Sequence, residues 1–189
     1  MIGTEQIKGN KSRGKVYTMT GVGVMAAMMC VLGPMSIPIG PVPISFTNLV
    51  IYLAVYLLEG KWGAVSYGIY MMLGICGLPV FSGYTSGIAK LAGPTGGFLI
   101  GFIFMVLITG VVVERAKYQI AISIAGMVVA TAIDYLFGTI WFVIQANCSV
   151  EYALGVCVFP FLIGDLVKIV FTAVFGRELR QQFKKAGLL

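Results

Sequence analysis

A carboxylate and an ammonium lie three residues apart in the apolar run Pro160-Phe161-Leu162-Ile163-Gly164-Asp165-Leu166-Val167-Lys168. On a helix, an i to i+3 spacing puts both side chains on one face. There they can grip a ligand between them: the aspartate accepts N–H bonds, the lysine donates to a carbonyl or carboxylate, and burial strengthens both. The alternative is an ion pair that only offsets its own burial, because desolvation makes such pairs poor stabilisers. The apolar run extends from Tyr152 to Phe175, long enough at about 1.5 Å per residue to cross a hydrocarbon core of about 30 Å. A charge at that depth costs at least about 2.5 kcal/mol on insertion scales, so such residues face a protein interior and mark a site or pathway.

Asp134, just before Tyr135 in another apolar run, is a second ionisable residue at membrane depth. It can line the same cavity as Asp165 or hydrogen-bond to a neighbouring helix, and the sequence leaves both open. Tyr135, Trp141, Tyr84, Phe46 and Phe98 are candidate apolar walls, with packing or lipid contact as the alternative for each. Thr47 and Asn48 suit a pocket mouth. The chain has no histidine, and Cys30, Cys76, Cys148 and Cys157 lie singly without C-x-x-C spacing, so neither a metal site nor a cofactor is expected and the cysteines read as packing residues. There is no G-x-x-x-x-G-K-[ST] phosphate loop. An enzymatic reading would have to use Asp134 and Asp165 as an acid pair.

The elements that position these groups follow from hydropathy. The chain of 189 residues is 59% hydrophobic and 11% charged, against about 25% charged in a soluble domain, so it reads as an integral membrane protein in contact with lipid. The period-2 alternation of a membrane β-barrel is absent. Hydropathy and Pro/Gly punctuation predict an all-α protein with six transmembrane helices: Val16–Leu32, Ser45–Leu58, Trp62–Gly77, Pro94–Val113, Gln119–Ile144 and Tyr152–Phe175. The second and third fall short of the roughly 20 residues of a full span. With both termini cytoplasmic, eleven of the thirteen basic residues fall on the inner side, leaving Lys90 outside and Lys168 in the last helix. This positive-inside pattern sets the orientation and explains the net charge of +6 without nucleic acid. The expected division is a cytoplasmic tail at 1–15, a six-helix membrane domain at 16–178 and a second tail at 179–189.

Two outer loops stand out. Gly33 to Pro43 holds four of the seven prolines and no charge; it cannot be helical and reads as a lid or plug, or as a plain linker. Gly77 to Phe98 is glycine-rich yet mostly apolar, and irregular backbone at membrane depth is tolerated where it lines a cavity. Its groups Gly83, Tyr84, Thr85 and Lys90 are expected to meet a ligand, unless the loop is a solvated surface segment. In the first helix, Gly23 with Ala27 and Ala26 with Cys30 repeat a small-x-x-x-small spacing that can dock an external partner or pack inside the bundle.

Five blocks in order resemble the BioY family, the biotin-specific substrate-binding components of energy-coupling-factor (ECF) transporters. They are Pro41-Val42-Pro43-Ile44-Ser45, Gly77-Leu78-Pro79-Val80-Phe81-Ser82-Gly83, Gly93-Pro94-Thr95-Gly96-Gly97-Phe98-Leu99-Ile100-Gly101-Phe102, Tyr135-Leu136-Phe137-Gly138-Thr139-Ile140-Trp141 and the Pro-Phe-x-x-Gly-Asp-x-x-Lys stretch. The resemblance covers essentially the whole membrane region. It implies a non-enzymatic, multi-pass protein of a prokaryotic plasma membrane, with a pocket opening to the outer face. Such a protein binds biotin from outside and delivers it when docked on one transmembrane coupling protein and two ABC ATPases. It also implies that Gly164, Asp165 and Lys168 belong to the biotin site, and that the small residues of the first helix dock the coupling protein. A ureido ring needs an acceptor for its N–H groups and a donor for its carbonyl, which Asp165 and Lys168 can supply; Lys90, Tyr84 and Thr85 are then candidates for the valerate carboxylate. The sequence departs from the family pattern at Thr47, where glutamine is usual, and at Tyr84, Thr85 and Ser86, which interrupt a glycine run. Carriage of another small vitamin, or action as a stand-alone facilitator, is the alternative within transport.

Overall fold

The computed structural model describes residues 2–186, with side chains from residue 16 onward. Expectations resting on Met1, on the basic side chains of Lys8, Lys11, Arg13 and Lys15, and on residues 187–189 lie outside the described residues. The chain runs α1 (Ile2–Leu32), β1 (Ser36–Ile37), β2 (Ile44–Ser45), α2 (Thr47–Ile75), α3 (Ile88–Ala92), α4 (Gly96–Arg115), α5 (Ile120–Ala146), α6 (Val150–Cys157) and α7 (Phe159–Lys185). Among the described residues, four helical stretches are long and apolar enough to cross a membrane: Thr47–Ile75, Gly96–Arg115, Ile120–Ala146 and Val150–Lys185. A shorter apolar helix covers Val16–Leu32.

The second and third predicted segments are the two arms of α2. Glu59 has φ 72° and ψ 163°, a left-handed-side conformation that a non-glycine residue adopts only when its surroundings impose it. Beyond it the chain turns back on itself. A methyl group at Gly63 would stand 3.4 Å from the Val55 backbone, and Thr47 and Tyr70, at the far ends of the two arms, line one cavity.

The turn is held at the end of the bundle away from that cavity. Arg180 donates to the Tyr56 carbonyl at 2.7 Å and to Glu59 Oε1 at 3.2 Å, and its guanidinium lies 3.9 Å from the centre of the Tyr118 ring. Glu114 Oε1 accepts from the Gly60 N–H at 2.6 Å. Arg180, placed by sequence in a polar tail, is thus buried, because α7 continues to Lys185 and carries it under the α2 turn. The Glu59 side chain is 53% exposed, so that ion pair contributes under about 1 kcal/mol. The carbonyl bond and the ring contact, both desolvated, dominate. Arg180→Gln is expected to destabilise the fold by about 2 kcal/mol, read as a lower melting temperature in detergent. Arg180→Lys recovers little of it, since an ammonium cannot stack flat on Tyr118.

The proline-rich loop is a short hairpin and not purely irregular: Ser36 pairs with Ser45 and Ile37 with Ile44, a small β element in a fold expected to be all-α. Its tip, Pro38 to Pro41, is exposed, and Val42 on the return side is buried in a cluster with Phe142, Ala153, Cys157 and Phe161. The glycine-rich loop folds over Phe81, which is fully buried, stands edge-on to Tyr70 and bridges to Thr85. The two loops are tied together by the Gly83 N–H donating to the Pro34 carbonyl at 3.1 Å.

Candidate functional site

The last predicted segment is divided between α6 and α7 by a break at Val158, whose φ of −121° and ψ of −59° are non-helical. Pro160 then sits in the first turn of α7, where a missing N–H costs nothing. Asp165 therefore lies in the second turn of α7, near its start. Along this helix Phe161, Asp165, Ile169, Thr172, Ala173 and Gly176 are buried, while Ile163 is 79% and Val167 63% exposed. The inward stripe carries the polar residues Asp165 and Thr172, whereas Ile163 and Val167 on the outward side are apolar. That inverts a soluble helix and matches one facing lipid.

Asp165 is the centre of a closed network. Its Oδ1 accepts from Asn48 Nδ2 at 2.8 Å and from Lys168 Nζ at 2.9 Å; its Oδ2 accepts from the Tyr135 hydroxyl at 2.6 Å. Lys168 Nζ also donates to the Ser45 carbonyl at 2.8 Å and to Asn48 Oδ1 at 3.1 Å, and lies 5.8 Å from the Phe46 ring centre. The three protons of the ammonium thus each have an acceptor. Asn48 Oδ1 takes a further bond from the Leu49 N–H at 3.0 Å. The network joins the end of the hairpin, the start of α2, the middle of α5 and the start of α7, which are far apart in sequence.

These groups form one wall of a cavity of about 60 Å³. Val42 and Pro43 of the hairpin, Ser82 of the glycine-rich loop, Thr95 just before α4, and Phe98, Leu99 and Phe102 of α4 line it together with Thr47, Tyr70, Asp134 and Phe161. Of the residues expected at a ligand site, Asp165, Lys168, Asn48, Thr47 and Tyr135 are brought together, and Asp134 joins them. Gly164, Gly83, Tyr84, Thr85 and Lys90 are not among the lining residues. Tyr84 is 68% exposed and the Thr85 hydroxyl is spent on the Ser82 carbonyl, because the tight turn over Phe81 projects both outward. Gly83 gives its N–H to Pro34, as described above. Lys90 sits on α3, half-buried, and that burial lowers its pKa below the ordinary lysine value.

Phe46 stacks near Lys168, whereas Trp141 donates through Nε1 to the Gly93 carbonyl at 2.9 Å and so anchors the glycine-rich loop. Tyr70 was not singled out by sequence reasoning, and Ser45, Ser82, Leu99, Phe102 and Phe161 stood only inside the blocks of the family resemblance, with no site role assigned. One signal was available: Thr95, Phe98, Leu99 and Phe102 recur at the i, i+3, i+4, i+7 spacing of a single helix face. In α1, Gly23 and Ala27 are exposed while Ala26 is buried and Cys30 half-buried, so the two small-residue pairs serve different faces.

An apolar helical bundle enclosing a polar, charge-bearing cavity under two loops is the architecture of a membrane protein that binds a small polar molecule. The BioY family model matches residues 7–185. The chain is 34% identical over 167 residues to the biotin transporter BioY2 of Lactococcus lactis subsp. cremoris, covering 87% of this chain and 91% of that protein. It is also 34% identical to the biotin transporter BioY of Thermotoga maritima, over 84% of this chain and 93% of the relative. Among solved structures, the S-component for biotin from an ECF-type ABC transporter superposes with a TM-score of 0.83 at 32% identity, over 88% of this chain and 92% of the other. The chain belongs to the BioY family.

Proposed function

We propose that the protein is the substrate-binding subunit of an ECF-type transporter. It captures biotin from outside and delivers it for ATP-driven uptake by one transmembrane coupling protein and two ABC ATPases. It is a transport component and not an enzyme. The observation that carries this reading is the Asp165–Lys168–Asn48–Tyr135 network on the wall of a cavity roofed by two loops, in a chain whose relatives are biotin transporters. A cavity of about 60 Å³ is well below the roughly 300–1,000 Å³ of small-molecule pockets. Entry of biotin therefore requires the hairpin and the glycine-rich loop to part and the Gly83–Pro34 bond to break.

In this reading the chain crosses a prokaryotic plasma membrane six times: through α1 from Val16, the two arms of α2, α4, α5, and α6 with α7. The termini lie inside, as the distribution of basic residues favours. Gly23 and Ala27, exposed on α1, are the candidate docking face for the coupling protein. Gly164 would let the ligand approach the α7 backbone. Lys90 is assigned to the valerate carboxylate, reached when the glycine-rich loop closes on the ligand, with Tyr84 and Thr85 beside it.

Labelled-biotin uptake in a host lacking its own biotin transporter tests the role. Co-expression with a coupling protein and its ATPases is expected to raise uptake at least about tenfold over the chain alone, because the binding subunit has no phosphate loop of its own. Equal uptake with and without the module would favour the stand-alone facilitator. For Lys90, Lys90→Ala is expected to weaken biotin about tenfold, the scale of one charge-assisted bond, and to leave biotin methyl ester unaffected. An unchanged affinity for both ligands would remove Lys90 from the site.

A further inference from the structure

Asp134 is the acidic group in the cavity that the network leaves over. It lies on α5 one residue before Tyr135, is 3% exposed and lines the same cavity as Asp165. Its Oδ1 has no hydrogen-bond partner among the described residues. Space for it is made on α4: a methyl group at Gly101 would collide with that oxygen. Buried polar atoms are nearly always paired, and one that is not signals a missing partner.

The Asp165 network in the same cavity is nearly saturated. The Lys168 protons are all spent, and Asp165 already accepts three bonds. A carboxylate has about four acceptor positions, so Asp165 has room for one more N–H. A cyclic urea presents two N–H groups on either side of one carbonyl and needs two acceptors flanking a donor. Asn48 Nδ2 uses one proton on Asp165 and has a second to give.

We propose that Asp134 is a ligand-contacting, specificity-determining residue: its carboxyl receives one ureido N–H of the bound ligand, while Asp165 receives the other and Asn48 donates to the carbonyl. This rests on the assignment of biotin as ligand and adds to it a contact on α5. The site then selects for a ring with two N–H groups and discriminates against analogues in which either nitrogen is alkylated.

The test is calorimetric titration of purified protein with biotin and with biotin methylated at each ureido nitrogen in turn. Asp134→Ala is expected to weaken biotin at least about tenfold, the effect of leaving one buried bond unmade. Asp134→Asn, whose amide oxygen still accepts one N–H, stays within about threefold of wild type. In Asp134→Ala, methylation at one of the two nitrogens loses its penalty, while methylation at the other keeps it; that coupling identifies a direct contact, which a purely structural role would not produce. Unchanged biotin affinity in Asp134→Ala, or equal methylation penalties in wild type and variant, overturns the proposal while leaving the biotin assignment standing. Absence of biotin binding by wild type overturns the assignment on which it rests. Should Asp134→Ala not purify as a folded protein, the Asp134→Asn affinity and the wild-type methylation penalties decide: a large loss in Asp134→Asn, or tolerance of methylation at either nitrogen, counts against it.

Discussion

Asp165→Asn is expected to lower biotin affinity at least about 100-fold and the melting temperature together, because it removes the one anion on which Lys168, Asn48 and Tyr135 converge. The Lys168 and Asp165 side chains are 11% and 7% exposed, so solvent screens the pair little. Breaking a buried pair by removing one partner costs about 3–5 kcal/mol, mostly through the charge left behind. Stability and recognition can be separated. In Asp165→Asn combined with Lys168→Met the stranded ammonium is gone, so most of the melting temperature returns while biotin binding stays lost. Recovery of both would make the pair a structural device with no part in binding.

Gly110→Val is expected to prevent folding, which detergent extraction followed by size-exclusion chromatography would read as aggregated protein. Gly60 and Gly110 meet backbone to backbone where the α2 turn crosses α4; a methyl group at Gly60 would come within 2.6 Å of the Gly110 Cα, and one at Gly110 would collide with the Gly60 Cα. The obstruction is main chain, so no side-chain rotation relieves it. Overpacking in a core typically costs about 1–3 kcal/mol where neighbours can shift; here the Glu114 and Arg180 contacts hold the turn, and the cost exceeds that range. A monodisperse, biotin-binding Gly110→Val protein would contradict the close crossing.

The helices were legible because each is a long apolar run punctuated by proline or glycine, and the Asp165–Lys168 pair was legible because charge in such a run is costly. The break at Glu59 was harder to read. Only the short lengths of the second and third segments hinted at a tight turn, and the positive φ that makes it is imposed by Arg180 and Glu114 from distant parts of the chain. The hairpin was hidden because prolines argued against helix without showing which residues pair. Tyr84, Thr85 and Gly83 looked available as loop polar groups, yet where a loop projects depends on what lies beneath it, here Phe81 under Tyr70. Asn48 and Tyr135 could be named as candidates, but their convergence on one carboxylate required three helices to be placed in space. Asp134 could not be assigned from sequence: both of its readings were open until Gly101 was seen to leave it room without a partner.

The most direct test of the assignment is titration of the detergent-purified wild-type chain with biotin. A cavity with paired charges, two acceptor carboxyls and an apolar α4 face predicts one site per chain with a dissociation constant below about 1 µM, equivalent to more than about 8 kcal/mol of binding free energy. No detectable binding up to about 100 µM biotin, from a monodisperse sample, would contradict it.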